Sequence, residues 1–257
     1  MTNKELKYFA NLKKKEFRDS ENLFLIEGNH LIDECLSSKY YSDNIIRIFL
    51  KNDYKYKLPV KLINSGLKLE SLSAEKFNKI SETKNPQGTI AVIKKNKSNF
   101  SNIEEIKLAV ALDSINDPGN LGTILRTCWW FGVDTIFINS NSVDLFNAKV
   151  IRGSQGALFN SKIVVNADIN NLINEFHKSG FEIYATDLKS EKYIDKFSFI
   201  KKEQILVIFG NEANGINPEI LLNPNVKRIK IHGFSKCESL NVGVSVGIIL
   251  SRIKNQN

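Results

Sequence analysis

Cysteine is scarce in this chain and scattered along it. The 257 residues include three, Cys35, Cys128 and Cys237, with no CxxC pair and no Cys/His cluster. That excludes a disulfide framework and a zinc site, so no metal is expected, and it fits a reducing, cytoplasmic setting. Long apolar runs are missing as well. The longest, near 242–250, is too short and too broken by glycine to span a bilayer, so no membrane partner is expected. The first residues, MTNKELKYFANLKKKEF, carry no apolar segment after their charges, so no secretory signal is expected. There is no G-x-G-x-x-G after a strand and no G-x-x-x-x-G-K, which removes the dinucleotide and P-loop readings. Acidic residues are the minority: 36 Lys and Arg against 28 Asp and Glu leave a formal charge of +8. A polyanionic partner suits that balance. The abundance of Lys, Asn and Ile throughout the chain weakens the point, because biased composition produces the same excess.

What is present divides at about residue 95. Residues 4–18 read as a short basic helix, with Leu6, Phe9 and Phe17 set against Lys7, Lys13, Lys14, Lys15 and Arg18. FLIEG (24–28) reads as a strand ending at glycine and NHLIDECL (29–36) as an amphipathic helix. IIRIFL (45–50), SAEKFNKISE (73–82) and TIAVI (89–93) follow as strand, helix and strand. Residues 1–95 thus form a small α/β domain, and the polar, aperiodic stretch 96–105 a linker. Over 106–257 the pattern restarts as βα units, with strands at 107–112, 135–139, 162–165, 181–186, 205–209 and 227–231. Gly132 and Gly180 stand where helix C-caps need a left-handed residue. This alternation predicts an α/β fold, a mostly parallel sheet with helices on both faces.

Three polar-and-glycine blocks in the second part each abut an apolar run. In NDPGNLGTILRTCWWFGV (116–133), turn residues lead into a helix whose buried stripe is Leu121, Ile124, Leu125 and Cys128. Gly122 and Arg126, four apart, share another face, leaving a substrate room beside a guanidinium. On spacing alone the plainer reading prevails: Asn120 caps the helix and Arg126 is a solvated side chain. In LVIFGNEANGINPE (206–219), a buried strand ends in Gly210, Asn211 and Glu212 at the carboxyl edge of the sheet, where α/β proteins bind ligands. In IKIHGFSKCESLNVGVSVGIIL (229–250), Ser239 and Asn241 open an otherwise apolar helix, and capping accounts for one of them. Gly243 and Gly247 allow close packing, whether inside the domain or against a partner.

In this order and spacing, the three blocks resemble the motifs of the SpoU (TrmH-type) RNA ribose 2′-O-methyltransferases of the SPOUT superfamily, over roughly 105–253. Residues 1–93 more weakly resemble the small RNA-binding domain that often precedes that catalytic domain. The resemblance implies a deep trefoil knot, S-adenosylmethionine as methyl donor, ribosomal or transfer RNA as substrate, and a homodimer through the catalytic domain. It assigns Asn120, Arg126, Glu212, Ser239 and Asn241 to catalysis. Gly210, Asn211, Gly215, Ile231, Leu240 and Val242 fall to the donor site. The chain departs from the family pattern at His232, usually Pro, at Ser235, usually Gly, and at Gly243, usually alanine-like. These departures bear on loop geometry and substrate choice, and they keep a second reading open, an RNA-binding protein on the same fold without catalysis.

Overall fold

The computed structural model describes residues 1–55, 66–96, 102–133, 135–197 and 204–255. The middle of the expected linker, 97–101, lies outside them. The chain separates into two compact units, Met1–Lys97 with Phe146–Asn160, and Ser98–Leu145 with Ser161–Asn257.

The first unit is built on a four-stranded sheet, in the order β1 (Leu23–Glu27), β4 (Thr89–Lys94), β2 (Ile45–Lys51), β3 (Leu69–Leu72). Strand β4 is antiparallel to both β1 and β2, and β3 runs parallel to β2. One face carries Leu25, Phe49, Ile90 and Val92, which pack on Leu6, Phe9, Leu12, Phe77 and Ile80 from the flanking helices. The expected basic helix over 4–18 is in fact two, Asn3–Asn11 and Lys15–Glu21. The reason is Arg18. It is buried rather than solvated, and its Nη1 donates to the Leu12 and Lys13 carbonyls at 3.0 and 2.8 Å, satisfying the end of the first helix. Two of the three consecutive lysines are also engaged inside the unit. Lys13 Nζ donates to the Ser81 carbonyl at 2.7 Å, and Lys15 pairs with Asp19 at 2.7 Å. The segment Phe146–Asn160 belongs here through its aromatic residues. Phe146 lies on Phe24 with centroids 4.6 Å apart, and Phe159 meets Tyr41 edge-on at 5.5 Å.

The second unit holds a six-stranded, wholly parallel sheet. Its order is β10 (Val226–Ile229), β8 (Glu182–Thr186), β9 (Ile205–Phe209), β5 (Leu108–Leu112), β6 (Thr135–Ile138), β7 (Lys162–Val165). The central strands LAVAL and ILVIF are buried at every position, as a sheet covered on both faces requires. One face packs Ala109, Ala111, Phe137, Leu206 and Ile208 against Ile169, Leu172, Ile173 and Phe176 of the helix Ile169–Lys178. Helix ends fall where glycine allows: Gly132 and Gly180 have φ of +66° and +86°, just past the C-caps Phe131 and Ser179. Strand β10 stops at Ile229, so Ile231 stands in the following loop rather than at a strand end.

The helices Pro118–Trp130 and Val242–Asn255 pack along each other through threonine and glycine. Thr123 and Thr127 turn their hydroxyls back onto the carbonyls of Gly119 and Thr123, at 2.9 and 2.8 Å. Their methyl groups then face the glycines. A Cβ on Gly243 would stand 3.0 Å from Thr123 Cγ2, and one on Gly247 would stand 3.7 Å from Thr127 Cγ2. The glycine pair therefore serves packing inside this unit. Gly247→Ala should raise stability by about 0.5–1 kcal/mol from helix propensity. Gly243→Val should lower it by about 1–3 kcal/mol through overpacking. Urea unfolding of the two variants measures both, and equal effects would contradict the spacing.

Cys35 and Cys128 are buried and Cys237 is exposed. Burial pushes the Cys35 thiol up to about 12 and raises Cys128 as well. DTNB at neutral pH should therefore titrate Cys237 alone in the folded protein and all three thiols in denaturant. Rapid reaction of a second thiol before unfolding would show that one of these cores is open.

Candidate active site

The site stands where the strand order reverses, at the carboxyl ends of the neighbouring strands β5 and β9. The helix Pro118–Trp130 is capped by Asp117, whose side chain accepts from the Asn120 backbone N–H at 2.8 Å, with Pro118 in its first turn. Capping thus falls to Asp117 and leaves the Asn120 amide available. Asn120 Nδ2 donates to Glu212 Oε1 at 2.7 Å, and Asn120 Oδ1 accepts from Asn241 Nδ2 at 2.9 Å. Asn241 Oδ1 in turn accepts from the N–H groups of Gly243 and Val244, at 2.9 and 3.4 Å.

Each amide orientation in this chain is forced. A carboxylate only accepts and a backbone N–H only donates, so Asn241 must turn its oxygen to the helix and its NH2 to Asn120. Asn120 must then turn its NH2 to Glu212. One residue from each block is joined in a single line of hydrogen bonds. Asn241, not Ser239, is the cap of the last helix, which starts at Val242. Val242, expected at the donor site, is buried in the core.

The loop after β9 is shaped by its own backbone. Asn211 and Gly215 exchange two N–H···O bonds of 2.9 and 3.0 Å, and Gly215 has φ +70°. A Cβ on Gly210 would come within 2.5 Å of the Gly215 carbonyl oxygen and the Ile216 nitrogen, so only glycine fits. The Asn211 side chain accepts from Ala213 and Asn214 N–H at 2.9 and 3.0 Å and donates to the Ser114 carbonyl at 2.8 Å. The expected donor-site residues Gly210, Asn211 and Gly215 are therefore also the frame that holds Glu212.

Asp113, buried at the end of β5, ties this loop to the sheet. It accepts from the Asn217 N–H at 2.8 Å, from Asn139 Nδ2 at 2.7 Å and from the Ser114 hydroxyl at 3.1 Å. Ser114 has φ +61°, an uncommon conformation for a residue with a side chain, and its N–H donates to Asn139 Oδ1 at 2.9 Å. Sequence reasoning passed over Asp113 and Asn139. The available signal was their position, each a polar residue directly after a buried strand.

Arg126 is not in this network. It lies six residues beyond Asn120, about 9 Å along the axis and roughly 120° around it. It is exposed, with no hydrogen-bond or ion-pair partner among the described residues. The Ser239 hydroxyl is likewise free among the described residues. Exposed apolar side chains stand on the helix of Arg126 and on the helix packed against it. Trp130 is 84% exposed and Trp129, Val244 and Ile248 are partly so. Leu188, just after β8, and Leu240 also expose apolar surface at the carboxyl end of the sheet. His232 lies beside Tyr193 and Phe234, its ring tilted by 34° and 32° to theirs with centroids 4.5 Å from each.

Comparison with known proteins places this geometry. Residues 3–91 match the MRM3-like substrate binding domain. Over 252 residues the chain is 29% identical to the 23S rRNA (guanosine(2553)-2′-O)-methyltransferase RlmP of Bacillus subtilis, covering 98% of this chain and 96% of that protein. An uncharacterized tRNA/rRNA methyltransferase of Borreliella burgdorferi is 33% identical over 205 residues, covering 74% of this chain and 89% of that protein. Among solved structures, a putative RNA methyltransferase of the TrmH family from Porphyromonas gingivalis superposes with a TM-score of 0.84 at 25% identity, covering 100% of this chain and 99% of that one. An AdoMet-bound rRNA methyltransferase from Sinorhizobium meliloti shares the fold, with a TM-score of 0.82 at 24% identity, over 99% of this chain and 95% of that one. With residues 107–251, the stretch that carries all three blocks, matching the SpoU rRNA Methylase family, the chain belongs to that family.

Proposed function

We propose that this chain methylates a ribose 2′-hydroxyl of ribosomal RNA, with S-adenosylmethionine as donor. The observation that carries the reading is the hydrogen-bonded line Glu212–Asn120–Asn241, which joins all three family motifs at one sheet edge. The relatives named for large-subunit rRNA favour that RNA over transfer RNA as substrate. An inactive RNA-binding protein would have no need to keep this line intact.

The residues present suit the donor. Leu188, just after the strand next to β9, and Leu240 expose apolar surface, and the Gly210–Gly215 turn offers backbone, which together are what a molecule part purine and part thioether needs. When bound, S-adenosylmethionine supplies a methyl group activated by its sulfonium charge. Glu212 keeps Oε1 on Asn120, and its Oε2 has no partner among the described residues. That oxygen is placed to take the proton of the ribose hydroxyl. Arg126 stays charged, because a guanidinium does not give up its proton in a protein. Its part is to stabilise the negative charge that grows on the ribose oxygen. Ser239 supplies a further hydroxyl for the RNA.

Arg126 needs help to reach that oxygen, and the exposed apolar side chains on its helix and the helix packed against it indicate how. Two copies pairing through Trp129, Trp130, Val244 and Ile248 would bury this face and bring Arg126 of one copy toward the neighbour's site. Family membership also supports a deep trefoil knot in the C-terminal part, and a cytoplasmic enzyme. Among the described residues no helix is long and apolar enough to cross a membrane. The substrate-binding part spans 1–95 and the catalytic part 106–257, with Phe146–Asn160 packed into the first unit.

Arg126→Ala should lower kcat by about 10²–10³-fold while calorimetry finds donor affinity nearly unchanged. Ordinary methylation by that variant overturns the assignment. Asn120→Ala, which releases Glu212, should lower kcat roughly 10²-fold with the same donor affinity. Trp130→Glu should halve the mass seen by sedimentation and remove activity. A wild-type protein that sediments as a monomer and is fully active rules out the shared site.

A further inference from the structure

We propose that Tyr193, His232 and Phe234 form a stacking platform for an unpaired nucleobase of the substrate RNA. The three rings follow one another. Tyr193 and His232 have centroids 4.5 Å apart with planes at 34°, and His232 and Phe234 have centroids 4.5 Å apart with planes at 32°. Lys230 Nζ sits 4.6 Å from the Tyr193 centroid. Lys230 and His232 thus both neighbour the Tyr193 ring, His232 also neighbours Phe234, and Phe234 is 94% exposed.

The base of the platform is anchored by main chain. Tyr193 and Lys230 form a parallel β-bridge, in which Ile194 N–H donates to the Lys230 carbonyl at 2.8 Å and Lys230 N–H to the Lys192 carbonyl at 3.0 Å. Lys230 and His232, two residues apart, both lie against the Tyr193 ring. The bridge fixes Tyr193 and Lys230, so at the foot of the row little freedom is left for binding to remove. Unpaired RNA bases are recognised by stacking on aromatic faces, and every base has such a face.

The occupant is a base of the RNA and not the purine of the methyl donor. A small ligand gains affinity by enclosure, and a ring this open encloses nothing. A strand already held elsewhere gains from one added stack. The chain's formal charge of +8 suits the phosphates that accompany the base. His232 takes part as a ring surface in the row, which gives this departure from the family's usual proline a purpose.

The inference rests on the methyltransferase reading, and one set of measurements separates the two. Phe234→Ala, Phe234→Leu and Phe234→Trp would be assayed on rRNA purified from cells lacking this chain, with donor affinity measured by calorimetry. Loss of the ring in Ala and Leu should raise KM for RNA about tenfold, with kcat and donor affinity within twofold of wild type. Trp should match or improve on Phe. An unchanged KM in Ala, or a Leu variant equal to wild type, overturns the platform while leaving the methyltransferase intact. Weakened donor binding in Ala shows that the ring serves the donor's purine, and also overturns it. A wild-type protein that neither binds donor nor methylates rRNA removes the underlying reading and the platform with it.

Discussion

The amide of Asn120 is held at both of its ends, and the site depends on that restraint. On one side stands a carboxylate that can only accept, Glu212. On the other stands Asn241, whose oxygen is committed to the N–H groups at the start of the last helix. Neither amide can flip without placing donor against donor or acceptor against acceptor. The three sequence blocks are far apart along the chain, 92 residues separating Asn120 from Glu212 and 121 separating it from Asn241. Their meeting is a product of the sheet order, which sets β9 beside β5 and brings the last helix along the first motif's helix. One end of the line is an anion and the other the positive end of a helix dipole, so the bonds between are polarised in a single sense.

Beneath that line is a second layer of polar contacts, and it carries the first. Asp113 ends a fully buried strand and accepts three hydrogen bonds, one of them from the backbone of the loop that bears Glu212. A buried carboxylate is tolerated only when it is so satisfied. The same residue continues the β5–β9 ladder through its own N–H, which donates to the Phe209 carbonyl at 2.8 Å. The position of Glu212 is therefore referred to the most rigid part of the sheet, with Asn211 and the tight Gly210–Gly215 turn as intermediaries. Glycine at 210 has a local steric cause, and that cause would apply whether or not a ligand bound there.

The parts of this architecture legible in the sequence were those set by period and by turn chemistry. Buried strands such as LAVAL and ILVIF, and glycines closing helices at 132 and 180, announce themselves because burial and φ leave few alternatives. The site residues Asn120, Glu212 and Asn241 were found by motif, whereas their mutual bonding could not be read from spacing. Capping illustrates the difference. The rule that a polar residue opens a helix was right at both helices, but which residue did so was decided by tertiary partners, Asp117 at one and Asn241 at the other. The N-terminal helix was split for a similar reason. Arg18 looked like one more surface cation until its carbonyl partners came into view. Short strand β3 and the two helices within 146–160 carry too little periodic signal to separate them from loop.

The loop between β10 and the last helix has fixed ends and a free middle. The Tyr193–Lys230 bridge holds one end and the Asn241 cap holds the other. Between them every residue from His232 to Leu240 is exposed. Changes there touch neither the Glu212–Asn120–Asn241 line nor the packing of Gly243 on Thr123. Both departures from the family pattern within this loop, His232 and Ser235, fall in that free middle. Glu212, Asn120 and Asn241 are fixed by their mutual bonds and by the cap, whereas the exposed loop between the anchors is where substitution costs the fold little. The loop can therefore be rewritten while its two anchors stay in place.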